Sequence, residues 1–263
     1  MEIPIFQVDA FTNEPFKGNP AVVCLLNEKK MDSWMQQLAL EMNLSETAFL
    51  LSEGQGWRLR WFTPAVEVDL CGHATLASAF VLFQQRLAAN GSMIHFYTRS
   101  GELTAQLKDG WITLDFPAFI EKPYSHREQL LEILKLKPNE VVQSGENVIV
   151  ETASAAEVRQ LLPDFERLKE LPMHGLAVTA RSDQPPFDFI SRYFAPWVGI
   201  NEDPVTGSAH ACLGPYWQLR LGKSTFRAFQ ASSRGGVVGV KVKGERVHIS
   251  GQAALVFSGD LVA

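Results

Sequence analysis

Long apolar runs are missing from this chain of 263 residues. Its longest strongly apolar stretch, ATLASAFVLF at 74–83, falls far short of the roughly 20 residues a bilayer-spanning helix needs, so no membrane partner is expected. Cysteine is scarce. Cys24, Cys71 and Cys212 make three, an odd number without paired spacing. They suggest free thiols rather than a disulfide framework, hence a reducing, cytoplasmic setting. A basic stripe is also lacking and the net charge is −5, which speaks against nucleic acid or anionic lipid as a partner. There is no Gly-x-Gly-x-x-Gly after a strand, no P-loop and no Gly-x-Ser-x-Gly, so neither a nucleotide cofactor nor a serine-hydrolase triad is supported. The six histidines show no His-x-x-x-His spacing and the cysteines no Cys-x-x-Cys pair. No metal and no cofactor is expected from such a pattern. The opening segment MEIPIFQVDAF carries Glu2 among alternating apolar residues, which reads as a strand and not as a signal peptide.

What the chain does contain is an internal repeat. RSGELTAQLKDGWITLD (99–115) aligns without gaps on RGGVVGVKVKGERVHIS (234–250). Leu103, Ala105, Leu107, Ile112 and Leu114 fall on Val238, Val240, Val242, Val247 and Ile249, keeping one period-2 apolar face. Each segment predicts a β-hairpin, turning at Asp109-Gly110 or at Gly244. The same spacing sets Gly72-His73-Ala74 on Gly207-Ser208-Ala209, and RWFTP (60–64) matches RYFAP (192–196). Three matches in one order predict a duplicated domain. Boundaries are expected at 1–117 and 118–251, with Pro117 to Pro123 as linker and the tail 252–263 as a candidate addition to the first domain.

Within the first copy the pattern predicts a helix over 32–42 with Asp32 as N-cap. Strands at 47–51 and 57–62 follow, then a buried helix from Gly72. In the second copy Ser154 and Glu157 have capping-box spacing, strands are expected at 175–180 and 187–194, and a second buried helix starts at Gly207. Pro215 should bend or end that helix near its middle. The fold class is therefore α+β, as two pseudo-symmetric domains with a cleft between them.

Chemistry concentrates at the starts of the two buried helices, CGHAT (71–75) and TGSAH (206–210). A helix N-terminus offers unpaired N–H groups and partial positive charge, so both turns are candidate carboxylate sites. A Gly in a tight turn is the plainer reading of each. Cys71 suggests a thiol base, but the equivalent residue is Thr206, whose hydroxyl is a very poor base; a two-thiol racemase is one thiol short, and a small buried packing residue is the favoured reading of Cys71. His73 and Ser208 hold matching positions, and an imidazole there can pass a proton or simply cap the helix. Asp203 sits just before the second turn, either as an Asp-Pro turn residue, as a partner that orients His73, or as an acid held protonated by a neighbouring one. Glu46, in NLSETAFL (43–50), either caps a turn towards water or acts as a half-buried general base.

DAFTNEPFKGNPAVVCLL (9–26), EMNLSETAFL (41–50), FTPAVEVDLCGHATLASA (62–79) and EDPVTGSAHA (202–211) resemble the phenazine-biosynthesis PhzF-like family over essentially the whole chain. The resemblance implies the diaminopimelate-epimerase fold, with each domain a sheet wrapped around a central helix, and a homodimer. It implies a cofactor-independent isomerase moving a proton on a small cyclic or unsaturated carboxylic acid. Glu46 would carry the proton, with His73, Asp203 and Ser208 as further catalytic residues. Asn19, Ser45, Gly72, Thr206 and Gly207 would bind the substrate. A Cys71-dependent racemase or epimerase, and a non-catalytic binding or scaffold protein of the same fold, are the alternatives.

Overall fold

The structure, a computed structural model, describes residues 2–262. It divides into two compact units, Met1–Asp115 with Ser250–Ala263, and Phe116–Ile249. The first opens with β1 (Ile3–Ala10), β2 (Asn19–Leu26), α1 (Asp32–Met42), β3 (Glu46–Glu53), β4 (Gly56–Phe62) and β5 (Glu67–Val68). Then come α2 (Gly72–Gln84), β6 (Met93–Thr98), β7 (Gly101–Lys108) and β8 (Trp111–Pro117). The hairpin of β7 and β8 turns through Asp109 and Gly110, both at positive φ, as a tight two-residue connection requires.

Pairing runs β1–β2–β3–β4–β6–β7–β8. The β2–β3 and β4–β6 pairs are parallel and the others antiparallel. This curved sheet has α2 at its centre: the helix touches β1, β2, β3 and β7 and is buried almost continuously from His73 to Phe83. An all-round apolar sequence leaves no face for water, so the sheet must wrap it. Burying Leu76, Val81, Leu82 and Phe83 contributes about 1.5–3 kcal/mol each. Helix α1 covers the outer face through Met35, Leu38 and Ala39, which pack with Trp34, Phe49 and Phe62. Its N-cap is Met31 and not Asp32. Asp32 lies in the first turn instead, where its carboxylate accepts a hydrogen bond from Arg60 at 2.7 Å, so the ion pair draws the side chain away from the capping position.

The second unit contains β9 (Glu121–Pro123), α3 (Arg127–Leu134), β10 (Glu140–Ser144), β11 (Asn147–Glu151), α4 (Ala155–Gln160) and α5 (Phe165–Leu168). β12 (Gly175–Arg181), β13 (Phe189–Ala195), β14 (Ile200–Asp203), α6 (Gly207–Leu221), β15 (Thr225–Gln230), β16 (Gly236–Lys243) and β17 (Arg246–Gly251) follow. Its pairing is β9–β10–β11–β12–β13–β15–β16, with β14 laid on part of β13. Ser154 caps α4, its Oγ accepting from the Glu157 N–H at 3.2 Å. Helix α6 continues past Pro215 to Leu221 instead of ending there. Burial of Cys212, Leu213 and Gly214 before the ring and of Tyr216 and Trp217 around it outweighs the one lost backbone hydrogen bond. Finally β18 (Ala253–Leu261) pairs antiparallel with β1, and so belongs to the first unit.

One ion pair recurs in both units. Arg60 grips Glu67 with two hydrogen bonds of 2.7 and 2.6 Å and covers the Phe62 ring. Arg192 grips Glu202 at 2.7 and 2.8 Å and covers Phe194.

Candidate active site

In the first unit the site begins with a loop. The Asp9 carboxylate, fully buried, accepts the Phe16 N–H at 2.6 Å, and Thr12 closes a small turn by accepting the Glu14 N–H at 3.0 Å. Gly18 then turns the chain at φ +61° into β2, and Asn19, the first residue of that strand, is fully buried. Its amide nitrogen lies 3.1 Å from His73 Nδ1. Glu46 is the first residue of β3, beside β2, and its Oε2 lies 3.1 Å from His73 Nε2. The glutamate side chain is 17% exposed and the histidine 6%. Cys71 is the N-cap of α2, its Sγ 3.5 Å from Nδ1 and 4.0 Å from Nε2 of the same ring. Asn19, Glu46, Cys71 and His73 therefore form one buried cluster. Ser45 is half-buried in the turn before β3, and Gly72 opens α2.

Charge in this cluster is set by opposing effects. Burial pushes the His73 pKa down, but the Cys71 sulphur and the Glu46 carboxylate more than offset it, holding the imidazole well above its ordinary range. Burial, with Glu46 nearby, pushes the Cys71 thiol up to about 11. The imidazole is thus biased towards its charged form and the thiol towards its neutral one. A charged ring needs an acceptor at Nδ1, which a half-turn of the Asn19 amide supplies. No side chain caps α2 and no acid lies in its first turn, so its leading N–H groups can receive a carboxylate.

In the second unit the TGS turn is held from below. The Thr206 hydroxyl donates to Asp203 Oδ2. Gln230, fully buried at the end of β15, accepts the Thr206 N–H at 2.9 Å and donates to the Asp203 carbonyl at 2.8 Å. Gly207 and half-buried Ser208 open α6 without a side-chain cap. Asp203, Thr206, Gly207 and Ser208 are thus brought to one turn, with Asp203 and Thr206 engaged by each other. Sequence reading missed Gln230 as the positioning residue of this turn, and Asp9 and Gly18 as those of the Asn19 loop. A signal for Gln230 existed: it follows Phe226 and Ala228 on the buried face of β15, where an amide is out of place without a partner.

His210, one turn into α6, is fully buried and stacks on Phe189. Its Nδ1–H donates to the Thr206 carbonyl at 2.8 Å, and burial pushes its pKa down to about 4. The folded state therefore resists protonation that the unfolded chain accepts. Stability is expected to be constant above about pH 6.5 and to fall as the pH drops towards 4, by roughly 3 kcal/mol from this group. His210→Phe should flatten that part of a denaturant-midpoint profile against pH; an unchanged slope would assign the acid sensitivity elsewhere.

Comparison with known proteins settles the family. The model of the phenazine biosynthesis-like protein family matches residues 8–259. The chain belongs to this phenazine biosynthesis-like family. An uncharacterized isomerase of Pseudomonas aeruginosa is 51% identical, over 99% of both chains. A PhzF-family crystal structure from Enterococcus faecalis superposes with a TM-score of 0.95 at 44% identity, covering 100% of each chain. A probable proline racemase of Agrobacterium radiobacter shares the fold alone, with a TM-score of 0.63 at 12% identity, covering 99% of this chain and 93% of the other. The expected fold class is thereby established: the phenazine biosynthesis-like chain has the PhzF and epimerase-type architecture. Among its described residues no helix is long and apolar enough to cross a membrane. Its three cysteines are free and buried.

Proposed function

We propose that this protein is a cofactor-independent isomerase that moves a proton along a small cyclic or unsaturated carboxylic acid, with Glu46 as the proton carrier. The observation that carries the reading is the buried Glu46–His73 pair, 3.1 Å apart, beside a thiol held neutral. The Glu46 carboxylate takes a proton from a substrate carbon, and the C–H electron pair shifts into the neighbouring double bond. The carboxylic acid then returns the proton to the far carbon of the displaced double bond. Atoms and charge balance without oxidant or metal. One base acting in this way gives a double-bond shift; stereoinversion needs a second base on the opposite face. His73 keeps Glu46 oriented and lowers the cost of its buried charge. The first-turn amides of α2 are the candidate carboxylate grip, and Asp203 with Ser208 are assigned to the second turn as further site residues. The isomerase naming of the Pseudomonas relative supports the same reaction class. We also read the recurring Arg–Glu pairs as the trace of a duplicated ancestor.

Proton NMR in D₂O tests the reading: the protein is incubated with a panel of dihydroaromatic and unsaturated carboxylic acids. Deuterium on ligand carbon is expected for at least one compound. Binding without exchange across the panel would transfer the assignment to a binding protein.

Cys71, 3.5 Å from His73, is the one feature that favours a thiol racemase. A thiol with its pKa pushed up to about 11 is almost wholly protonated at neutral pH and a poor carbon base. Cys71→Ala is expected to keep turnover within about tenfold of the wild type, well inside the loss that removing a general base causes. Loss of all exchange in a folded variant would restore the racemase reading.

A further inference from the structure

We propose that Glu46, Cys71 and His73 form a three-ligand site for a thiophilic divalent cation, Zn²⁺ above all, and that its occupancy blocks the proton-transfer pair. Among the described residues these three bring a carboxylate oxygen, a thiol sulphur and an imidazole nitrogen within 4.8 Å of one another. Tetrahedral zinc with ordinary bond lengths sets sulphur and nitrogen about 3.5 Å apart and nitrogen and oxygen about 3.4 Å apart. His73 Nε2 lies 4.0 Å from Cys71 Sγ and 3.1 Å from Glu46 Oε2. The sulphur lies nearer Nδ1, at 3.5 Å, than Nε2, so a shared ion requires the imidazole to turn about its Cβ–Cγ bond until Nε2 faces Cys71 as well as Glu46.

The donor set also selects the ion. Sulphur with imidazole favours zinc over magnesium or calcium, whose shells are built from oxygen. Asn19, at 3.1 Å from Nδ1, is the outer partner: its amide oxygen accepts Nδ1–H and leaves the Nε2 lone pair for the metal. With Zn²⁺ bound, a Cys71 thiolate and the Glu46 carboxylate cancel the charge of the ion, the thiol proton leaving to solvent. A neutral complex suits a cluster this buried, where net charge is costly. Three protein ligands leave a fourth position for water or a carboxylate. The ligands come from 43–50 and 71–73, segments joined only by folding, so no sequence spacing reveals them.

The consequence for turnover rests on the proposed function, while binding does not. Chelator-stripped protein is titrated with Co²⁺, followed by near-ultraviolet thiolate-to-metal absorption, and Zn²⁺ is then used to displace the cobalt. One Co²⁺ per chain with a thiolate band is expected. Cys71→Ala should abolish the band and weaken Zn²⁺ binding by at least about 100-fold, the upper end of what loss of a mere outer-shell partner costs. Glu46→Gln should weaken it as well. His95→Gln, which breaks the exposed His95–Glu102 pair, should leave the stoichiometry at one. If Cys71→Ala fails to fold, Cys71→Ser must also lose the band. No thiolate band in the wild type, a band that survives removal of Cys71, or binding lost in His95→Gln would each overturn the site. In the exchange assay one equivalent of Zn²⁺ should stop deuterium uptake and a chelator restore it. Continued exchange with the thiolate band present would overturn the blocking role alone. Failure to bind metal leaves the isomerase reading standing, and absence of any turnover leaves the cobalt spectrum to be read by itself.

Discussion

Glu46→Gln slows carbon–deuterium exchange by about 10²–10⁴-fold, the range a positioned general acid or base supplies, while the fold and ligand binding persist. The amide keeps the size and shape of the carboxylate, and its oxygen can hold the same place 3.1 Å from His73 Nε2. It cannot take a proton from carbon. The remaining partner is not stranded as a buried charge either, because an imidazole can release its proton when the carboxylate is gone. A buried lysine or arginine would have no such exit, and truncating its partner would cost several kcal/mol. Single-turnover exchange and a thermal melt, measured side by side, check the two halves of this expectation. Exchange at wild-type rate in a folded Glu46→Gln variant would remove Glu46 from the mechanism.

Gly18→Ala is expected to cost about 3–5 kcal/mol of stability, at the upper end of what a single methyl group does outside a core. Gly18 has φ +61°, a region L-residues enter at a cost. A β-carbon built there lies 2.1 Å from the Ala10 carbonyl oxygen and 2.8 Å from a Thr12 methyl. The oxygen belongs to the β1 backbone, which is paired on both sides, so relief has to come from moving Asn19 and the loop before it. The site should suffer beyond the loss of stability: folded Gly18→Ala, at low temperature, should show weakened metal binding and slower exchange because Asn19 no longer meets His73. Urea denaturation gives the stability change. A shift under 1 kcal/mol would mean that the loop yields more easily than its hydrogen bonds to Asp9 and Thr12 suggest.

Much of this was legible from residue order alone, for identifiable reasons. Period-2 alternation at 99–115 gave the hairpin because one face is buried and a register slip would expose it. The helices from Gly72 and Gly207 were readable because a segment apolar all round has nowhere to go but inside a sheet. Glu46, Cys71 and His73 were singled out individually, from residue type and position. Their joint geometry was not legible: β2 and β3 pair in parallel across an intervening helix, and only that register sets Asn19 and Glu46 on either side of His73. Asp32 was misassigned as a cap because local rules cannot see Arg60, which lies in another strand. The continuation of α6 past Pro215 depended likewise on side chains before and after the ring, whose burial is a tertiary fact.

The strand β18 has a consequence for how the molecule is made. Its partner β1 leaves the ribosome first, yet β18 is synthesised only after every residue of the second unit. The first sheet therefore has one flank of β1 unfilled throughout most of translation, with backbone donors and acceptors available to any passing strand. The second unit has all of its own chain available earlier and can close first, in reverse of the usual N-to-C order. Pairing strands so far apart in the chain is slow because a large loop must be closed before any contact rewards it. The nascent chain is most exposed to mispairing in the interval before its last strand arrives.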